Sequence, residues 1–139
     1  MKYIGLDLGS VTCGVSKSDT GFIAQAVKTI RFTPDDYDEA LDKVEEYIRE
    51  YKPDVIVLGY PLLENGDAGP KAQLSEQFKL ALEDETKLPV YLQDERNTTK
   101  DSEEFLVQAD VSRKKRKKII DQQAAVRILQ YYLDSHNTK

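Results

Sequence analysis

The sequence predicts one α/β domain, residues 1–139, built on a mixed five-stranded sheet with helices on both faces. Its first thirty residues contain three short strand-like stretches joined by short connections, which is typical of antiparallel strands. Two further apolar stretches each follow a segment with helical spacing, as in β-α-β units. At 139 residues the chain can enclose one hydrophobic core but is too short for two.

The strands are predicted from apolar content and from the turn residues between them. The fourth, DVIVLGY, is apolar almost throughout, as strands covered on both faces tend to be. Pro89 opens the fifth strand, VYLQDE. The predicted strands are 2–8, 14–19, 23–30, 54–60 and 90–95.

Four helices are predicted from apolar residues at helical spacing. Thr33 is suited to cap the first helix and Pro34 to occupy its first position, ahead of Tyr37, Leu41, Val44, Ile48 and Tyr51. The second helix carries Leu74, Phe78 and Leu82 on its inner stripe. The other three predicted helices span about 70–85, 99–108 and 115–133.

Composition excludes several classes of protein. The single Cys13 cannot form an internal disulfide, and no apolar run approaches the length of a membrane span. The first residues lead directly into a strand pattern and do not resemble a signal peptide. We therefore expect a cytoplasmic protein without a membrane partner. His136, close to the C-terminus, is a poor candidate for acid-base chemistry.

Positive charge is concentrated in one run. The formal net charge is −5, and removing the six cations of this run leaves −11 for the remainder. Such a run can attract phosphate locally while the rest of the surface stays acidic, although a solvated helix face is an equally good interpretation from composition alone. The run consists of Arg113, Lys114, Lys115, Arg116, Lys117 and Lys118.

Acidic residues occur where an α/β fold usually places its site. Asp7 lies near the carboxyl end of the first strand and Asp94 and Glu95 lie at that of the fifth, so all three belong to the carboxyl edge of the sheet. Asp121 shares the helical phase of Ala125 and therefore points inward, while Ala124 and Ala125 allow a close approach to the sheet. Inward carboxylates repel each other unless a cation binds them, and oxygen ligands favour Mg²⁺ or Mn²⁺.

Each acid also has a structural interpretation. Asp7 could accept hydrogen bonds in the turn at Gly9 and Ser10. Asp94 or Glu95 could pair with Arg96 or cap the next helix. Asp121 could simply favour the dipole at the start of its helix.

Several motifs together resemble the YqgF or RuvX family of ribonuclease H-like proteins almost from end to end. Members have been described as Holliday-junction resolvases and as nucleases that mature the 5′ end of pre-16S ribosomal RNA. In this chain Val11 and Thr12 stand where the family commonly has a basic pair, and Asn97 where an apolar residue is usual. The motifs are IGLDLGS, GVSKSD, VIVLGYPLLENGDAGP, LPVYLQDERNTT and VSRKKRKKIIDQQAAVRILQYYL.

The resemblance implies a ribonuclease H-like fold and metal-dependent phosphodiester hydrolysis. It implies Asp7, Glu95 and Asp121 as catalytic, metal-binding acids, with Asp94 as an adjoining metal candidate, and Mg²⁺ or Mn²⁺ as the cofactor. Lys100 and the basic run would contact phosphates of pre-ribosomal RNA or branched DNA. The small-subunit precursor is a candidate partner, and a homodimer is left open.

Two other functions remain open at this point. A ribonuclease H-like domain that has lost catalysis could act as a nucleic-acid-binding module, although all three acids are present. The DLGS turn also resembles the phosphate-binding strand pair of actin-like and sugar-kinase ATPases. Those enzymes need two such domains, and this chain has the length of one.

Overall fold

A central sheet organises the chain in this computed structural model, which describes residues 1–63, 65–94 and 113–137, with side chains in the last range described for 123–136. The elements are, in chain order, β1 (Tyr3–Leu8), β2 (Thr12–Ser18), β3 (Gln25–Arg31), α1 (Tyr37–Tyr51), β4 (Val55–Tyr60), α2 (Pro70–Thr86), β5 (Val90–Asp94) and α3 (Arg113–Asn137).

The sheet confirms the predicted topology. Its strand order is β3-β2-β1-β4-β5. The first three strands are antiparallel neighbours, and β4 pairs parallel with both β1 and β5. The carboxyl ends of β1, β4 and β5 therefore lie at one edge of the sheet.

Helices cover both faces of the sheet, as predicted, and β1 contributes to both cores. Ile4 and Leu6 pack in one cluster with side chains of α1 and α2, including Val44 and Phe78. On the other face, Val55 and Val57 of β4 pack with Ile128, Leu129, Tyr132 and Leu133 of α3, and the partly buried Tyr3 lies against them. Side chains alternate along a strand, so odd-numbered positions of β1 face α3.

The start of α1 differs from the prediction. Asp36, not Thr33, caps the helix, and its carboxylate accepts a hydrogen bond from the Glu39 amide at 3.1 Å. Asp35 has a φ of 60°, so the helix cannot extend back through it to Pro34. Thr33 instead donates its amide and hydroxyl to the Glu39 carboxylate, both at 2.9 Å.

Other boundaries differ by a few residues. The segment before β3 is held by α3 and not by β2, because Gln130 accepts from the Ala24 amide at 2.9 Å and donates to the Phe22 carbonyl at 2.8 Å. This is why β3 begins at Gln25, two residues later than predicted. The predicted helix at about 99–108 lies outside the described residues.

The last helix, α3, lies very close to the sheet. Ala124 and Ala125 are buried, as predicted, and the Ser16 hydroxyl donates to the Ala125 carbonyl at 2.7 Å. A Cβ atom on Gly5 would lie 2.4 Å from Ser16 Oγ and 2.7 Å from Leu129 Cβ, so only glycine fits there. Within the described ranges, neither α3 nor any other helix is long and apolar enough to cross a membrane.

We expect Gly5→Ala to destabilise the fold by about 1 to 3 kcal/mol, because the added methyl must push α3 away from the sheet. Urea unfolding measures this change. Gly69→Ala is the matched control, since the three atoms nearest to its Cβ would all belong to the side chain of Leu63, which is 51% exposed. Equal losses in the two variants would contradict the proposed tightness of the Gly5 contact.

Candidate functional site

Asp7 lies at the carboxyl end of β1, on the face covered by α3. It is half-buried and pairs across the sheet with Gly14. Strand alternation groups it with Tyr3 and Gly5, both of which lie under α3. Gly14 beside it has no side chain and is itself buried.

The turn after β1 uses its own backbone groups. The Gly9 amide donates to the Thr12 carbonyl at 2.7 Å, and the Ser10 carbonyl accepts from the Asp35 amide at 2.8 Å. The Gly9 donor is thus already used inside the turn. The Gly9 amide is therefore not the donor that the structural interpretation of Asp7 requires.

The contacts of α3 fix how it runs over β1. The ring of Tyr132 lies 6.1 Å from that of Tyr3, whereas Leu129 and Ala125 lie over Gly5. Moving forward along β1 therefore means moving backward along α3. Asp7 is about 7 Å beyond Gly5 along the strand, and position 121 is about 6 Å beyond Ala125 along the helix. The helix therefore carries position 121 to the level of Asp7.

The helix boundary also bears on the structural interpretation of Asp121. The helix α3 begins at Arg113, so position 121 lies more than two turns inside it. A helix dipole favours carboxylates mainly in the first turn. The dipole therefore does not account for an acid here. The side chain of Asp121 lies outside the described ones.

Asp94 lies on the opposite face of the sheet from Asp7. In the ladders, Leu6 aligns with Leu58 and Leu58 with Leu92, and all three belong to the core under α1 and α2. Asp94 follows Leu92 by two residues and aligns with Tyr60, whose hydroxyl donates to Glu76 of α2 at 2.5 Å. Strand alternation therefore argues against Asp94 as a ligand beside Asp7.

Two other reactive side chains have structural surroundings. Cys13 is fully buried, and burial raises the pKa of its thiol well above the ordinary value, with the nearby Asp7 carboxylate raising it further. A thiol held protonated is a poor nucleophile. His136 stacks on Tyr132 in the last turn of α3, at the far end of the sheet from Asp7.

The remaining predicted site residues extend beyond the described side chains. Glu95 and Lys100 lie outside the described residues, and residues 113–118 are described only as the first turns of α3. Among the described side chains, no three of His, Cys, Asp or Glu form a group that could hold a metal ion. The oxygen donor described at this edge is the half-buried carboxylate of Asp7, which is of the kind that a hard divalent cation takes.

Sequence analysis did not single out Gly5 and Ser16, which position this edge. They allow α3 to approach the sheet and hold its Ala125 carbonyl. A glycine and a serine in strands carry no chemical signal of this role. Only the contact between residues far apart in the chain identifies it.

Comparison with known proteins gives a consistent family. The family model "RuvX: Holliday junction resolvase" matches residues 1–135. A protein of Bacillus subtilis named "Putative pre-16S rRNA nuclease" is 49% identical over 138 residues, covering 99% of this chain and all of that protein. A Geobacillus protein with the same name is 49% identical over 136 residues, covering 97% of this chain and 99% of that protein.

Solved structures with this fold include two Holliday-junction complexes and one sugar-binding protein. Thermus thermophilus RuvC with its junction substrate has a TM-score of 0.61 at 14% identity, covering 98% of this chain and 95% of RuvC. Fowlpox virus resolvase with junction DNA has a TM-score of 0.63 at 15% identity, covering 99% of this chain and 100% of the resolvase. A ROK family protein of Streptococcus pneumoniae in complex with sucrose has a TM-score of 0.53 at 17% identity, but this chain covers only 40% of that protein. These likenesses show a ribonuclease H-like fold.

We expect Asp7→Asn to leave the metal-free protein equally stable or more stable, because the predicted metal site would place Asp7 among other acids that repel it. Mn²⁺ should raise the melting temperature of the wild type but not of this variant. Asp94→Asn is the control and should keep the response to Mn²⁺. A marked loss of stability of Asp7→Asn in EDTA would instead indicate a structural role, and a lost Mn²⁺ response in Asp94→Asn would contradict the face assignment.

Proposed function

The chain belongs to the RuvX family, and from this premise we propose that it is a divalent-metal-dependent nuclease that matures the 5′ end of pre-16S ribosomal RNA in the cytoplasm. The observation that carries the proposal is the antiparallel run of α3 over β1, which brings position 121 to the level of Asp7. Two acids distant in the sequence then share one edge of the sheet, beside a glycine.

Three acids hold the cofactor in this proposal. Asp7 and Asp121 approach from β1 and α3, and Glu95 follows directly on β5. Glu95 is preferred to Asp94 because Asp94 faces α1 and α2. When bound, Mg²⁺ or Mn²⁺ ions would activate a water molecule for attack on phosphorus and stabilise the leaving oxygen. No nucleophile from the protein is required in this proposal, in agreement with the buried, protonated Cys13.

Phosphate binding is assigned to the start of α3 and to Lys100. Residues 113–118 precede Asp121 in the same helix, so they lie beyond the level of Asp7 along the helix axis. Cations at that place would attract a nucleic acid to the acidic edge without reading its bases. The acids of the site and the cations of the run would then bind neighbouring parts of one strand.

RNA is favoured as the substrate because the relatives named for pre-16S RNA are nearly half identical along their whole length. The second candidate is resolution of Holliday junctions, supported by the description of the family and by the fold of the junction-bound resolvases. Cleavage of a precursor RNA fragment and of a four-way DNA junction, measured side by side with Mg²⁺, tests both candidates. Absence of cleavage of either would favour a binding module.

We expect Asp7→Asn, Glu95→Gln and Asp121→Asn each to lower the cleavage rate by at least about 100-fold, because each removes a direct ligand of the cofactor. Asp94→Asn should stay within a few-fold of the wild type. Single-turnover cleavage of the RNA fragment measures the chemical step. A large loss in Asp94→Asn with normal activity of Glu95→Gln would contradict the assignment of the third ligand.

Replacing Lys114, Lys115 and Lys117 with Gln should weaken binding of all RNA sequences alike, since phosphate contacts do not distinguish bases. The log-log dependence of affinity on salt should flatten by up to about 2 to 3, while the single-turnover rate at saturating RNA is largely kept. Fluorescence anisotropy over a salt series measures the slope. An unchanged slope would mean that the run is an ordinary solvated helix face.

A further inference from the structure

The end of β3 presents a cation to the same face of the sheet as Asp7. Ile30 and Phe32 are buried in the core beneath α1, so the alternating position of Arg31 belongs to the face of α3. The ladder pairs Arg31 with Thr12, and the Phe32 amide donates to the Val11 carbonyl at 3.0 Å. Arg31 therefore lies at the carboxyl edge of the sheet, beside the turn that follows Asp7.

The path between Asp7 and this cation is short. β3 is two strands from β1, which corresponds to about 10 Å across the sheet. The residue between Asp7 and β3 at the same level is Gly14, which has no side chain. Gly14 is buried, and Arg31 lies two residues beyond Thr29, the β3 residue level with Asp7. An extended ligand would therefore run along the carboxyl edge of the sheet from the acid to Arg31, and not over Gly14.

The guanidinium of Arg31 is available for a ligand. Arg31 is exposed, and within the described part of the chain its side chain takes part in no ion pair or side-chain hydrogen bond. Lys43 is engaged differently, because its ammonium donates to the Arg31 carbonyl at 2.6 Å and lies 3.3 Å from a Glu39 carboxylate oxygen. β3 is an edge strand, so a ligand can approach Arg31 from the side.

We propose that Arg31 binds a phosphate of the nucleic-acid strand next to the one that is cleaved, an inference that rests on the proposed function. A guanidinium binds two phosphate oxygens at once and keeps its charge at any physiological pH. The basic run lies on α3, whereas Arg31 approaches across β2 from the other side. Arg31 and the basic run would then bind the nucleic-acid strand on opposite sides of the acids.

The test compares two charge losses on the same strand. Lys28 is the matched control, because it is exposed and lies on the opposite face, with its ammonium 5.2 Å from the ring of Tyr47 on α1. We expect Arg31→Gln to weaken binding of a single-stranded RNA about five- to tenfold and to lower its salt slope by about 0.7. Lys28→Gln should keep the wild-type RNA affinity and the wild-type salt slope. Arg31→Lys should keep the salt slope.

Cleavage kinetics separate this contact from the proposed function. In a wild type that cleaves RNA, Arg31→Gln should raise KM and keep kcat, since the residue positions a phosphate without touching the reacting atoms. Equal effects in Arg31→Gln and Lys28→Gln, or no effect in either, would overturn the Arg31 contact alone. A wild type that neither binds nor cleaves nucleic acid would overturn the proposed function and this contact with it.

Discussion

The approach of α3 to β1 at Gly5 is the contact on which the carboxyl edge of the sheet depends. Ser16 donates to a carbonyl inside the helix, and Leu129 fills the space that any larger residue at position 5 would need. These contacts fix both the height and the rotation of the helix. A shift by one residue would move position 121 by about 1.5 Å and turn it by about 100°, away from Asp7. The position of α3 beside Asp7 is thus set by contacts at Gly5, two residues earlier in β1.

The alternation of side chains along the strands imposes a second constraint. Leu6, Leu58 and Leu92 must face the core under α1 and α2, so their immediate neighbours face α3. This alternation places Asp7 and Asp94 on opposite faces of the sheet, although β1 and β5 both pair with β4 and end at the same edge. Adjacent residues on a regular strand face opposite sides of the sheet, and Asp94 shares the side of Leu92. The core, rather than the chemistry of the acids, decides which of them can belong with Asp7.

The elements of this fold could be predicted because their apolar periods follow directly from burial on one or two faces. The start of α1 could not be predicted, since the left-handed conformation of Asp35 accompanies the hydrogen bond of its amide to the Ser10 carbonyl in the turn after β1. The Ser16 contact with Ala125 links residues 109 apart and has no local signal. Arg31 is a similar case, because only strand pairing brings it beside Thr12, close to the turn that follows Asp7.

An acidic protein can still hold a polyanion when its cations are placed well. The chain carries 25 acidic and 20 basic residues, so its distant field repels nucleic acid. At physiological salt, however, exposed charges interact mainly within about 8 Å, and only nearby residues matter to a bound phosphate. The acids of the proposed site are the nearest of these, so they would oppose substrate binding until a cation neutralises them. Metal binding should therefore precede nucleic-acid binding, and cations on α3 and β3 would act on a strand whose central phosphate is already accommodated.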